Sequence, residues 1–136
     1  MRGQILSVEY MLFFAVGVII IIITYTSLSG IIDTLRASSA ETQLEKLGES
    51  VRLAALQIYE TANSTGSNIT FKMSMPTSLS GYQYVIEFKE GKIILSTLDK
   101  KIAKNISLYN IPASGFVYST KGEIHIKSDG QNIVVL

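Results

Sequence analysis

A stretch of 23 residues without a charged side chain, residues 10–32, is the strongest constraint on how this chain folds. Five consecutive isoleucines, residues 19–23, lie near its centre and make every face of a helix apolar. A membrane-spanning helix needs about 20 apolar residues, whereas a strand rarely exceeds about 10. In lipid the backbone must satisfy its own hydrogen bonds, which favours a helix. The sequence therefore predicts a membrane-compatible helix rather than a buried strand.

The flanks of this stretch predict its orientation. Arg2 precedes it, and positively charged flanks remain on the cytoplasmic side, so we expect residues from Asp33 onward to lie outside the cell. So few residues precede the stretch that we expect no cytoplasmic signalling domain. The alternative is a cleaved secretory signal, whose apolar core has about 7–15 residues. Because this stretch is longer, we expect the helix to remain in the mature protein.

The rest of the composition restricts the chemistry that is open to the chain. There is no cysteine, which excludes disulfides, thiolate metal sites and cysteine nucleophiles. The single histidine, His125, lies in an alternating segment and is expected on a solvent face with Glu123 and Lys127. A net charge of +1 gives no support to nucleic-acid binding. No glycine-rich phosphate loop is present, which argues against an ATPase. Because constellations for a nucleophile, a metal or acid/base catalysis are also missing, we expect no enzyme, no catalytic residue, no metal and no cofactor.

A second helical pattern follows the uncharged stretch. Apolar residues recur there at steps of three and four: Leu44, Leu47, Val51, Ala54, Ala55 and Ile58. This spacing is typical of one helical face, and no proline occurs before Pro76. We predict a single helix from about residue 5 to about residue 61, whose second half packs its apolar face on a domain. The alternative is a membrane anchor with an extracellular stalk.

The remainder of the chain has the alternating pattern of β-strands. Strands are predicted over 69–75, 82–89, 92–97, 101–108, 116–120, 123–128 and 132–136. Hairpin turns are predicted at Glu90-Gly91, Lys121-Gly122 and Asp129-Gly130, because glycine supplies the positive φ of tight turns. The predicted fold class is α+β, with the second half of a long N-terminal helix packed on a small antiparallel sheet.

The residues ahead of the uncharged stretch form a recognisable pattern. Arg2-Gly3 is followed by Gln4, and then by Ser7 and Glu9. This pattern resembles the class III signal peptide of archaeal type IV pilin-like proteins, in which a short basic leader ends in glycine. The spacing Gln-x-x-Ser-x-Glu is one residue longer than the usual Gln-x-Ser-x-Glu of that family. The resemblance covers about the first thirty residues.

The resemblance implies processing and a division of the chain. A prepilin peptidase would cut between Gly3 and Gln4, so that residues 1–3 are a leader. The type IV pilin-like plan then gives a membrane and filament-core helix over 4–32, its amphipathic continuation over 33–61, and an extracellular head over 62–136.

The resemblance also assigns residues to assembly. In such proteins the early glutamate pairs with the terminal amine of a neighbouring subunit, and Glu9 is the matching residue here. Subunit contacts are expected at Glu9, Phe13, Phe14, Val18 and Ile21. Pairing offsets the cost of placing two charges in an apolar bundle. The alternative for Glu9 is a solvated position at the level of the lipid headgroups.

The function implied is that of a structural subunit of an archaeal type IV pilus-like surface filament with a role in adhesion. The chain would be stored in the membrane and then form a homopolymer through its N-terminal helices. The implied partners are the prepilin peptidase, the pilus assembly ATPase and the platform protein. The alternative is a membrane-anchored minor pilin-like or stator-like accessory component of a surface filament machine.

Three Asn-x-Ser/Thr triplets occur in the part predicted to be extracellular, at Asn63, Asn68 and Asn105. None has proline in the middle position. Each is therefore a candidate for N-glycosylation.

Overall fold

The computed structural model describes residues 2–136, and Met1, the first residue of the predicted leader, lies outside them. One helix, α1, spans Arg2–Thr65. It ends four residues beyond the predicted end, so residues 62–65, between the predicted helix and the first predicted strand, are helical as well. The chain forms two compact units, the first ending at Leu35 and the second spanning Arg36–Leu136.

The second unit contains all of the β-structure that the structure describes. The strands are β1 Ile69–Ser74, β2 Tyr84–Lys89, β3 Lys92–Thr97, β4 Ala103–Ser107, β5 Ala113–Tyr118, β6 Glu123–Ser128 and β7 Ile133–Val135, with a short 3-10 helix over Ser119–Lys121. They form one sheet in the order β1-β6-β7-β5-β2-β3-β4. Every pairing is antiparallel except β5 with β7, which is parallel. The predicted α+β class, a long N-terminal apolar helix with a sheet, is confirmed and is consistent with a pilin-like fold.

Two of the three predicted hairpins form, and they differ in their turns. Strands β2 and β3 pair directly through Glu90-Gly91, whose φ angles of 52° and 70° are those of a tight turn. Strands β6 and β7 also pair, but Ser128 lies opposite Ile133, so Asp129-Gly130 belongs to a four-residue loop rather than a two-residue turn.

The prediction of a hairpin at Lys121-Gly122 was wrong, because β5 and β6 do not pair. Strand β5 lies between β2 and β7, and β6 lies between β1 and β7. The 3-10 helix turns the chain out of β5. The hydroxyl of the buried Ser119 in this turn accepts a hydrogen bond from the backbone N–H of Tyr84 at 3.1 Å. The chain still reverses direction here, since β7 runs parallel to β5 and antiparallel to β6, but β6 lies one strand further along and leaves room for β7 between them.

The core lies between the second half of α1 and one face of the sheet. The predicted apolar face of the helix is confirmed, since Leu44, Val51, Ala55 and Ile58 are all buried in it. The helix approaches the sheet closely at Gly48, where a Cβ atom would press on the side chains of Leu95 and Ile106. Removing these apolar side chains from water is the main force that holds the helix on the sheet.

Tyr84 is the largest fully buried side chain in the core, and it carries a polar atom. Its hydroxyl donates to the carbonyl oxygen of Pro76 at 2.5 Å. Burial raises the pKa of Tyr84 to about 12. The folded state therefore holds this proton more tightly than the unfolded chain does, whose tyrosine titrates near pH 10.

Replacing Tyr84 by phenylalanine is expected to lower the free energy of unfolding by about 1 kcal/mol, because the Pro76 carbonyl loses its donor. In the parent chain the protonated Tyr84 hydroxyl makes its full contribution to the free energy of unfolding below about pH 10. It is lost as the pH rises toward 12. The phenylalanine variant lacks this pH-dependent part of the stability. Denaturant unfolding of the full chain in detergent between pH 8 and 12 measures both effects, with the exposed Tyr118→Phe as the control. Equal pH profiles for the parent chain and the Tyr84 variant would contradict the assignment.

Candidate assembly surface

The first part of α1 presents apolar side chains on all of its faces. Every residue from Arg2 to Arg36 is exposed except Gly17, which is half-buried. Phe13, Phe14 and Ile21 are 65%, 75% and 69% exposed. Soluble monomers rarely expose a continuous apolar surface of this extent. The surface is suited to an apolar environment, which means either lipid or other apolar helices.

This helix is long and apolar enough to cross a membrane. Its most apolar window of 18 residues has a mean hydropathy of 2.6 and is not buried in the protein. Its threonine hydroxyls are satisfied within the helix: Thr24 and Thr34 donate to the carbonyls of Ile20 and Gly30 at 2.8 and 2.9 Å. Side-chain hydroxyls bonded in this way enter an apolar environment without an unpaired donor.

The residues predicted to take part in processing and assembly lie on two faces of this helix. Gln4, Glu9 and Phe13 line one shallow surface, whereas Gly3 and Phe14 line another. Val18 and Ile21 follow Phe14 by four and seven residues and therefore share its face. The predicted residues do not converge on one patch. A helix with apolar contacts available on two faces can pack between several neighbours at once.

Glu9 is the only acidic side chain in this part of the chain before Asp33. It is exposed, and within residues 2–136 it forms no salt bridge. An unpaired carboxylate is costly in the lipid interior. A counter-charge from another molecule or a position at the headgroup level would satisfy it, so both alternatives from the sequence remain open.

The ion pair of Lys104 with Glu41 and the hydrogen bond from Arg52 to Tyr109 join α1 to the sheet and its loops. Lys104 on β4 contacts Glu41 at 2.7 Å, and this hydrogen bond raises the pKa of Lys104. Arg52 contacts Glu49 at 2.8 Å and donates to the hydroxyl of Tyr109 at 3.1 Å. Exposed pairs of this kind typically contribute about 1 kcal/mol or less. We assign them to the attachment of the helix rather than to a reaction.

His125 lies on the solvent side of β6, as its alternating segment predicts. Its Nε2 is 2.9 Å from the carboxylate of Glu123, which also contacts Lys72 at 2.6 Å. The hydrogen bond from Lys72 is the main reason that the pKa of Glu123 lies below its usual range. Among the side chains of residues 2–136, no group of three His, Cys, Asp or Glu is placed to hold a metal ion. The absence of enzyme activity stays a prediction.

The three asparagines predicted as modification sites are all exposed. Asn63 lies in the last turn of α1, Asn68 lies between α1 and β1, and Asn105 lies on the edge strand β4. They are therefore accessible on different parts of the second unit.

The sheet face turned away from α1 carries apolar side chains that the sequence did not single out as a group. We call it the outer face; its apolar members are Val85, Ile94, Phe116, Tyr118, Val134 and Leu136. Phe116 is 58% exposed, and its ring meets that of Tyr118 edge to face with 5.6 Å between centroids. The alternation of β5, in which Phe116 and Tyr118 flank the buried Val117, is the signal that identifies this face.

Three tyrosines of the second unit lie in different surroundings. Tyr84 is buried in the core, and Tyr118 lies on the outer face. Tyr109 lies beside Arg52 of the helix, which is 5.8 Å from its ring centroid. Tyr84 therefore serves the packing of the core, while Tyr118 remains available for contacts.

A comparison with known families matches residues 1–135 to a family described as "Family of unknown function (DUF7266)". The chain belongs to this family. The matched range includes both the apolar helix and the whole sheet, so DUF7266 is defined by the two parts together. No curated protein and no solved structure matches the sequence.

Proposed function

We propose that this DUF7266 chain is a structural subunit of an archaeal type IV pilus-like surface filament with a role in adhesion. The observation that carries the proposal is the exposed apolar surface of α1 up to Leu35 on an otherwise folded chain. The signal-peptide-like pattern at Gly3, Gln4 and Glu9 precedes that surface. A membrane-compatible helix joined to a sheet domain supports the same proposal.

The proposed mechanism is assembly rather than catalysis. The apolar helix first holds the subunit in the membrane, and the prepilin peptidase removes residues 1–3. The helices then leave the lipid and pack against the helices of other subunits, driven by the assembly ATPase and the platform protein. Because lipid and a helix bundle are both apolar, the transfer involves a modest change in free energy. A motor can therefore extrude subunits reversibly.

The direct experiment is to shear surface filaments from cells and identify their subunits by mass spectrometry and electron microscopy. We expect this chain in the filaments, with an intact mass that begins at Gln4. A scarce, uncleaved chain found only in the membrane would instead support the anchored accessory component. Absence from every filament preparation would contradict the role of structural subunit.

Glu9 provides a residue-specific test of the same proposal. Glu9→Gln removes the charge that would pair with a neighbour's terminal amine, and truncation of a buried charge pair costs about 3–5 kcal/mol. We therefore expect at least a tenfold loss of filaments by quantitative blotting of the sheared fraction. The matched control is Asp33→Asn, which removes the carboxylate at the other end of the uncharged stretch. Equal filament yields from the Glu9 variant and the parent chain would contradict the role of Glu9.

A further inference from the structure

We propose that Asn105 and Asn68 carry N-linked glycans that cover the apolar outer face of the sheet. The inference rests on the extracellular position of the head in the proposed function, but it does not require a filament. It selects two of the three Asn-x-Ser/Thr triplets and gives their glycans a physical role.

The outer face is apolar at its centre and lies in the folded second unit. Phe116, Tyr118, Val134 and Leu136 are 58%, 46%, 40% and 50% exposed. These four side chains lie on or directly after the adjacent strands β5 and β7 and form one exposed apolar patch, a feature that often marks a contact site. Two exposed polar side chains adjoin the patch: Glu87 lies between Ile94 and Phe116, and Lys127 lies opposite Val134.

Asn105 lies in the same row of the sheet as this patch. The strand register places Asn105 opposite Ile94, Ile94 opposite Glu87, and Glu87 opposite Phe116. Residues directly opposite each other in antiparallel strands project from the same face. Neighbouring strands lie about 4.8 Å apart, so Phe116 is three spacings, or about 14 Å, from Asn105. A glycan of a few sugars attached to Asn105 spans this row.

Asn68 approaches the patch from the other side. It borders a shallow groove together with Thr70, Lys127, Val134 and Leu136. Val134 and Leu136 are the exposed apolar residues at this end of the outer face. A glycan on Asn68 therefore starts at the mouth of a groove that leads onto the patch.

Asn63 differs from the other two in its surroundings. It lies in the last turn of α1, and its backbone packs against the loop after β6, where a Cβ atom on Gly130 would be 2.8 Å from the Asn63 Cα. It belongs to the helix, which packs on the opposite face of the sheet from the patch. A glycan at Asn63 starts from the helix side of the sheet rather than from the outer face, so this asparagine is the matched control.

The modification is a group transfer from a lipid-linked oligosaccharide that is activated by a phosphate or diphosphate. A bond forms between the asparagine Nδ2 and C1 of the first sugar. The bond between C1 and the phosphate oxygen breaks, the phosphate leaves with the electron pair, and Nδ2 loses one proton. No oxidant or reductant is needed. The C–H faces of sugar rings are apolar and pack on aromatic rings such as Phe116 and Tyr118, while their hydroxyls remain in water.

The first measurement is glycopeptide mass spectrometry of the full chain isolated from its native cells. Trypsin yields residues 105–121, which contain Asn105, and residues 53–72, which contain both Asn63 and Asn68. Fragmentation of peptide 53–72 in the mass spectrometer assigns a glycan to Asn63 or to Asn68. We expect glycan on Asn105 and Asn68. Unmodified Asn105 and Asn68 peptides would overturn the proposal.

The second measurement is hydroxyl-radical footprinting of Asn105→Gln, Asn68→Gln and Asn63→Gln. Phe116, Tyr118 and Tyr109 fall on the same tryptic peptide, and Tyr109 contacts Arg52 away from the outer face. In Asn105→Gln, labelling of Phe116 and Tyr118 relative to Tyr109 should rise about twofold, since a stacked sugar covers one ring face. Asn68→Gln should raise the labelling of Val134 and Leu136. Asn63→Gln should change none of these.

Unchanged labelling after loss of the glycan would show that another occupant covers the face, such as a second copy or a different protein, and would overturn the proposal. Protease added to intact cells gives an independent control of topology. If the head is digested and the glycans are present in a chain that never forms filaments, the filament proposal fails and the glycan proposal stands.

Discussion

Replacing Gly3 by valine is expected to abolish surface filaments while leaving the folded chain in the membrane. On the proposed function, the peptidase must cut the peptide bond between Gly3 and Gln4 before the helices can assemble. A β-branched side chain at this position blocks the approach of the backbone to the protease. Sheared filaments should fall below detection, and intact mass should show the leader retained in the membrane pool.

The position of Gly3 gives a physical reason for this sensitivity. It lies in the first turn of α1, and proteases bind extended rather than helical backbone. Glycine disfavours helix by about 1 kcal/mol relative to alanine, and helix ends fray readily. Gly3 therefore allows the first turn to unwind at the cleavage site, whereas the branched Cβ of valine adds bulk directly beside the peptide bond to be cut.

The matched control is Gly30→Val, which makes the same change in the same helix. A Cβ atom at Gly3 or at Gly30 would have no neighbour within 4 Å in the described chain. Neither substitution therefore disturbs packing within the subunit. We expect Gly30→Val to be cleaved at the parent rate. Filaments built from uncleaved Gly3→Val chains would contradict the requirement for processing.

Local periodicity was sufficient to predict the helix, its buried face and the adjacent hairpin of β2 and β3. Five isoleucines in succession leave no polar face, and the spacing from Leu44 to Ile58 marks one side of a helix. Glu90-Gly91 specifies its turn by backbone conformation alone. In each of these cases the decisive interaction joins residues that are close in the sequence.

The arrangement of β5, β6 and β7 depends on contacts between residues that are distant in the sequence. Ser119 lies 35 residues after Tyr84, yet the hydrogen bond between them ties the turn after β5 to the start of β2. The parallel pairing of β5 with β7 follows from two reversals, from β5 to β6 and from β6 to β7, that place β7 between the other two strands. Propensity and turn signals carry no information about which distant strand supplies a partner.

The candidate site could be predicted in location but not in arrangement. The uncharged stretch identified the apolar surface, because hydropathy alone decides it. That Gly3 and Glu9 lie on different faces became evident only from the geometry of the helix. The outer face was missed because its members come from β2, β3, β5 and β7 and meet only in the folded sheet.

Replacing Gly115 by alanine is expected to lower the free energy of unfolding by about 3 kcal/mol or more. Gly115 has a φ of 115°, which L side chains rarely adopt. A Cβ atom there would also collide with the backbone carbonyl oxygen of Val135. Because Gly115 is paired with Val135 across β5 and β7, this contact cannot be relieved by a side-chain rotation. Strand β7 must shift, which exposes the buried Ile133 and Val135.

The control for this substitution is Ser114→Ala, at the neighbouring exposed position opposite Val134. It should change stability by about 0.5 kcal/mol or less. Denaturant unfolding of the full chain in detergent, followed by near-ultraviolet circular dichroism, measures both variants. Amide hydrogen exchange should rise in β7 first, because the collision lies at its pairing with β5. A Gly115 variant as stable as Ser114→Ala would show that β5 and β7 do not require this close approach, and the parallel pairing would have to be revised.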